Sequence, residues 1–182
     1  KENILFSIKE WKMLNLEVVV IVTEKNIFLF VNKIKKMNKP IEPFNNIVLN
    51  FIEDLQKQLI LQNKSKLPGI SALSFWLRKN HIIKIKKKYD ESNSKIGLGI
   101  ALHITPSNMP LSFFYSYIFG ILLGNVNIVK IPNKNFIELD TLILFFNKLI
   151  NKIKYKEVKK RTFFIKFNHS KKIISELSQN CN

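Results

Sequence analysis

The chain has 182 residues, of which 46% are hydrophobic, enough to bury one substantial core and to make one domain or slightly more. The formal net charge is +17, but only Arg78 and Arg161 are arginines, the residue favoured for bidentate phosphate and base recognition, and the lysines are dispersed among many Asn and Ile in the manner of A/T-rich codon usage. A dedicated nucleic-acid-binding protein is therefore disfavoured, and the single cysteine, Cys181, excludes an intramolecular disulfide framework and fits a reducing, cytoplasmic setting.

Residues 1–16 are mixed in polarity and lack the apolar core of a secretory signal. The β-branched and aromatic runs Glu17–Thr23 (EVVVIVT) and Asn26–Ile34 (NIFLFVNKI) flank Glu24-Lys25 and predict two strands, arranged as a hairpin. Lys35–Pro43 is basic, ends in two prolines and reads as a loop. From Phe44 to Leu61, apolar residues at 44, 47, 48, 51, 52, 55, 59 and 60 mark one face of a helix. Pro68 opens a second helix, with Ile70, Leu73, Phe75, Trp76 and Leu77 as its packing positions. A basic run (Lys84–Lys88) and a polar linker (Tyr89–Lys95) follow. The composition changes after Asn93, which divides an N-terminal unit of strands and helices, 1–93, from an α/β unit, 94–182.

The second unit alternates regularly. Strands are expected at Ile96–Thr105, Asn125–Ile131 and Arg161–Phe167, and helices at Pro110–Leu123, Phe136–Ile153 and Lys171–Leu177. That alternation predicts an α/β fold with βαβ crossovers, a parallel sheet and helices on both faces. The apolar window Leu111–Ile131 is broken by Gly120, Gly124, Asn125, Asn127 and Lys130, so it does not predict a membrane span.

The first strand of this unit stops abruptly at His103-Ile-Thr-Pro-Ser-Asn-Met-Pro110. In a parallel sheet, ligands bind beyond the carboxyl ends of the strands, where the turn Thr105–Met109 would lie. Pro110 suits the first turn of the next helix, and Asn108 beside it has two readings. Its amide would cap backbone N–H groups, or it would donate to an oxygen that becomes negative during a reaction. Gly97-Leu-Gly99 precedes the strand instead of following it, so the usual dinucleotide glycine fingerprint is missing. His103 falls in an apolar strand pattern and reads as a core histidine. His81 and His169 have no sequence partners, and no metal-ligand spacing occurs. Cys181 sits in the polar tail Ser178–Asn182 without a base or helix N-terminus to activate it, so it is not expected to be a nucleophile.

The stretches "HITPSNMP" and "GNVNIVKIPNK" resemble the start of the cofactor domain in the aldehyde dehydrogenase superfamily. With "ALSFWLRKNHI" (Ala72–Ile82), they are most similar to the acyl-CoA reductases that supply long-chain aldehyde to bacterial luciferase, and to their non-luminous relatives. The resemblance spans Phe44–Asn182 and implies NADP(H)-dependent reduction of a fatty acyl-CoA, or of an acyl-protein, to the aldehyde through a cysteine thioester. It implies that Asn108 stabilises the oxyanion. Ile104, Thr105, Pro106 and Ser107 would line the cofactor, and Lys130, with Pro132 and Asn133, would reach the adenosine ribose or its 2′-phosphate. Ser107 stands where many superfamily members carry an aromatic residue, and Asn133 stands where NAD-specific members carry an acid. Losing that acid removes repulsion against a 2′-phosphate. No glycine-rich turn or suitably placed cysteine is seen, so the nucleophile is expected beyond Asn182 and the chain alone is expected to be inactive. The resemblance also implies a homo-oligomer and an acyl-transferring partner. An inactive relative and a basic surface-binding protein are the alternatives.

Overall fold

The computed structural model describes residues 19–35, 39–63, 66–90 and 97–181. Its centre is a parallel sheet of β1 (Val19–Ile21), β2 (Ile100–Ile104), β3 (Val126–Lys130) and β4 (Thr162–Lys166), in the order β1-β4-β3-β2. The helices are α1 (Ile27–Lys35), α2 (Asn46–Gln62), α3 (Pro68–Trp76), α4 (Lys79–Asp90), α5 (Ser112–Leu122), α6 (Ile137–Ile150), α7 (Lys156–Lys160) and α8 (Lys171–Ser178). A single 3-10 turn, Ile153–Tyr155, precedes α7. Residues 17–18 of the first expected strand and the unit boundary at Asn93 lie outside the described residues.

Two expectations are corrected. The expected second strand Asn26–Ile34 is instead a turn residue, Asn26, followed by helix α1 (Ile27–Lys35), so there is no hairpin, and β1 pairs in parallel with β4. The run is β-prone in composition, but Ile27, Phe30, Val31 and Ile34 recur at i, i+3, i+4 and i+7, and burying those four together requires a helix. Asn26 sets the change of direction: its Nδ2 donates to Ile21 O (3.0 Å) and its Oδ1 accepts from the Thr23 amide (2.7 Å). The basic run Lys84–Lys88 is not followed at once by a linker, because Tyr89 and Asp90 continue α4. Five lysines lie on α4, whose only buried residue is Ile82.

Strand alternation divides the core in two. Val129 and Phe164 face α5 and α6, with α2 packed behind them through a Phe51–Phe146 ring contact at 5.4 Å. Ile128, Phe163 and Ile165 face the other way, under α1 and α8. On the first face Phe164 meets Phe113, Tyr117 and Phe146 at 5.7, 5.3 and 5.0 Å between ring centroids. Each aromatic pair adds about 0.5–1.5 kcal/mol beyond its buried area.

The segment entering α2 is stitched under the α5–β3 turn. Ile41 N–H donates to Gly124 O (3.1 Å), Phe44 N–H donates to Leu122 O (2.6 Å), and Arg161 Nη2 donates to Lys39 O (3.1 Å). Gly124 has φ +77°, and a Cβ there would run into the Ile41 carbonyl. Gly124→Ala is therefore expected to lower unfolding free energy by about 2 kcal/mol, combining a left-handed backbone with a backbone clash. Urea denaturation reads it, and a loss under 0.5 kcal/mol, roughly the surface-substitution scale, would contradict the packing.

Candidate functional site

Because all four strands are parallel, the segments that follow them leave the sheet along one edge. Ile104 pairs with Lys130, Lys130 with Ile165, and Ile21 with Lys166. The turns 105–111, 131–136 and 167–170 and the β1–α1 turn are thus neighbours, and both segments singled out in the sequence lie there.

Ile104, at the end of β2, is 48% exposed, and in the turn that follows Pro106, Ser107 and Asn108 face solvent. Thr105 Oγ1 is buried and has no hydrogen-bond partner among the described residues. A hydroxyl left in that state costs about 1–3 kcal/mol, so it is a position a ligand group would satisfy. Helix α5 begins at Ser112, and its cap position, Leu111, makes no side-chain cap bond. Ser112 Oγ closes the turn by donating to Met109 O (3.2 Å). Asn108 therefore does not cap the helix, and Pro110 precedes the first helical turn instead of lying in it. The Asn108 amide makes no side-chain hydrogen bond among the described residues.

In the second turn Pro132 is buried and Lys134 is exposed. Lys130 Nζ lies 5.2 Å from the centre of the Phe167 ring, and Asn133 Nδ2 donates to Phe167 O (3.0 Å). Phe167 thus steadies the cation and ties the second turn to the third. The sequence reading missed it; the available signal is an aromatic residue directly after a strand end. Lys166 was missed as well. It is a lysine inside the apolar run TFFIK, 9% exposed, and burial holds its ammonium below the usual lysine range, with Asp140 of α6 partly offsetting the effect. The turn 131–135 contains no acid.

His103 lies below this edge, on the α5 face. Asn127 Nδ2 donates to Asn125 O (2.7 Å), so its Oδ1 is the atom that accepts from His103 Nε2–H (3.0 Å). His103 Nδ1 then accepts the Ser116 hydroxyl (2.6 Å). The ring is a satisfied neutral core histidine, and Gly120 leaves room for it, since a Cβ there would strike Asn127 Oδ1. Cys181 donates its thiol to Leu177 O (3.1 Å), and burial pushes its pKa up to about 11, so it is a poor nucleophile. No group of three His, Cys, Asp or Glu among the described residues is placed to hold a metal ion. No helix among them is long and apolar enough to cross a membrane.

A family model described as acyl-CoA reductase (LuxC) matches residues 45–181. No curated protein and no solved structure matches the chain.

Burial lowers the His103 pKa below its ordinary value of 6.5. The unfolded chain therefore takes up this proton first, and the stability contributed by the neutral ring, complete above about pH 6.5, is lost as pH falls toward the folded-state value. The urea midpoint is expected to drop from about pH 7.5 to about pH 5.5, and to drop less in His103→Gln, which keeps an N–H for Asn127 but does not titrate. Equal drops in both proteins would refute a buried neutral histidine.

Proposed function

The chain belongs to the acyl-CoA reductase (LuxC) family, and on that premise we propose that the carboxyl edge of its sheet binds NADP(H) during reduction of a fatty acyl thioester to an aldehyde. The observation that carries this reading is the shared edge. It brings an amide (Asn108) and a buried hydroxyl (Thr105) that have no side-chain partner among the described residues, and a lysine with no acid in its turn (Lys130), to the ends of adjacent strands.

Residues 104–107 would line the cofactor, in the manner of an aldehyde-dehydrogenase-type cofactor domain. Thr105 Oγ1 is suited to a polar group of the ligand, and Lys130 to the 2′-phosphate, as a charge-assisted contact. Pro132 and Asn133 would hold Lys130's turn in place, Asn133 through Phe167. When bound, the reduced nicotinamide supplies the hydride that converts the acyl carbon to an aldehyde carbon. Each addition to that carbonyl puts negative charge on its oxygen, and the Asn108 amide N–H would donate to it as the charge grows. The reading includes a cysteine acyl-enzyme. Cys181, half-buried and with a raised pKa, does not suit that role. It also includes an acyl-CoA or acyl-protein donor, a homo-oligomer, an acyl-transferring partner and a cytoplasmic enzyme.

Two substitutions test it. In an active preparation, Asn108→Ala is expected to lower kcat about 100-fold with NADPH binding nearly unchanged, the scale of one lost oxyanion donor. A loss below about tenfold would remove Asn108 from the chemistry. Lys130→Ala is expected to weaken NADPH binding about tenfold in a fluorescence titration and NADH binding much less, with the difference shrinking as salt rises. Equal effects on the two cofactors would place the 2′-phosphate elsewhere.

A further inference from the structure

Helices α3 and α4 meet at a second candidate site, a hollow of about 410 Å³ lined by Phe75, Trp76, Arg78, Asn80, His81 and Lys84. That volume falls within the range of small-molecule pockets, about 300–1,000 Å³. Trp76 is held by edge-on contacts with His81 (5.0 Å), Tyr115 (5.0 Å) and Phe119 (5.5 Å). Phe75, expected from its sequence to be part of a packing face, is 64% exposed. Above it lies the Arg78 guanidinium, 3.4 Å from the ring centre, with Nε donating to Phe75 O (3.0 Å). A flat cation is thereby pinned at the surface, and its terminal nitrogens have no partner among the described residues.

The polar groups around this plate fit a base and a phosphate together. His81 Nδ1 lies 2.7 Å from Trp76 O. A carbonyl only accepts, so Nδ1 carries the proton, and Nε2 of the neutral ring is left as an acceptor, suited to an exocyclic amine. The Asn80 amide has no side-chain partner among the described residues and offers a donor and an acceptor, the pair that reads the N6/N7 edge of adenine. Arg78 and Lys84 supply two cations for phosphate, and no acid lines the hollow.

We propose that this hollow binds a phosphoadenosine group, and that the group is the 3′-phosphoadenosine end of coenzyme A. The choice of coenzyme A rests on the acyl-CoA reductase reading above, whereas the phosphoadenosine chemistry rests on the hollow alone. The other source is the 2′-phosphoadenosine of NADP(H), which the same reading assigns to Lys130.

Calorimetric titration of the chain with adenosine 3′,5′-bisphosphate and adenosine 2′,5′-bisphosphate tests this without turnover, so its outcome is independent of whether the reductase reading survives. The 3′,5′ isomer is expected to bind saturably. Arg78→Ala and Lys84→Ala should each weaken it about tenfold, one charge-assisted contact apiece. Arg78→Lys should recover only part of the loss, since it keeps the charge and removes the plate. Asn80→Ala should weaken the bisphosphate but leave inorganic pyrophosphate unaffected, and Lys130→Ala should not change 3′,5′ binding. Absence of saturable binding, or indifference to both cation substitutions in folded protein, would overturn the proposal. So would loss on Lys130→Ala, or tighter binding of an oligothymidylate at the same residues, which would make the surface a nucleic-acid platform. Equal, Lys130-independent binding of the 2′,5′ isomer would overturn the assignment to coenzyme A.

Discussion

The Phe164 ring, in the middle of β4, is the contact on which the arrangement of this chain depends. Phe113 and Tyr117 of α5 and Phe146 of α6 all close on it, and Phe51 of α2 closes on Phe146. Both crossover helices are therefore clamped to one strand through aromatic side chains with few accessible rotamers. Since α5 and α6 each begin just beyond a strand end, fixing their bodies also fixes the turns that lead into them. The edge that gathers Asn108, Thr105 and Lys130 is a consequence of that clamp.

A polar layer beneath α5 complements the aromatic one. His103, Ser116 and Asn127 satisfy one another, and Tyr117 donates to Thr162, whose hydroxyl donates onward to Val158 O. Such groups are costly when unpaired and directional when paired, so they select one seating of α5 over neighbouring ones that would bury the same apolar area. The same physics gives the hollow between α3 and α4 its character. There the terminal nitrogens of Arg78 and the Asn80 amide are left without hydrogen-bond partners among the described residues, and Arg78 rests on the Phe75 ring at the surface instead of being absorbed into the core.

Much of this was legible in the sequence, for identifiable reasons. The parallel strands and crossover helices of the second half carry strong alternation, and the motifs around Asn108 and Lys130 led to the family that the model match over residues 45–181 establishes. The failures have equally specific causes. In Asn26–Ile34, β-prone composition competed with helical spacing, and spacing prevailed because burying Ile27, Phe30, Val31 and Ile34 together demands it. Phe75 was assigned to the packing face by its type, but its neighbour Arg78 gives an exposed ring a partner. The tie from Asn133 to Phe167 joins residues from two separate turns, so no local pattern announces it. Lys166 is buried because of its place in the sheet, beside Asp140, and not because of anything adjacent in the chain.

The pairing of β1 with β4 has a further consequence, for the order in which the chain is made. Val19 lies opposite Phe164, so an early-synthesised strand finds its neighbour only when nearly all the described sequence is available. At ordinary synthesis rates that interval is on the order of ten seconds. Throughout it, the Ile27, Phe30, Val31 and Ile34 face of α1 has neither Phe163 nor α8 to cover it. A nascent chain with an uncovered apolar helix is a natural client for chaperones. The β1–β4 pairing also joins residues 145 apart in sequence, so closing it carries a large loop-closure cost before its contacts repay it.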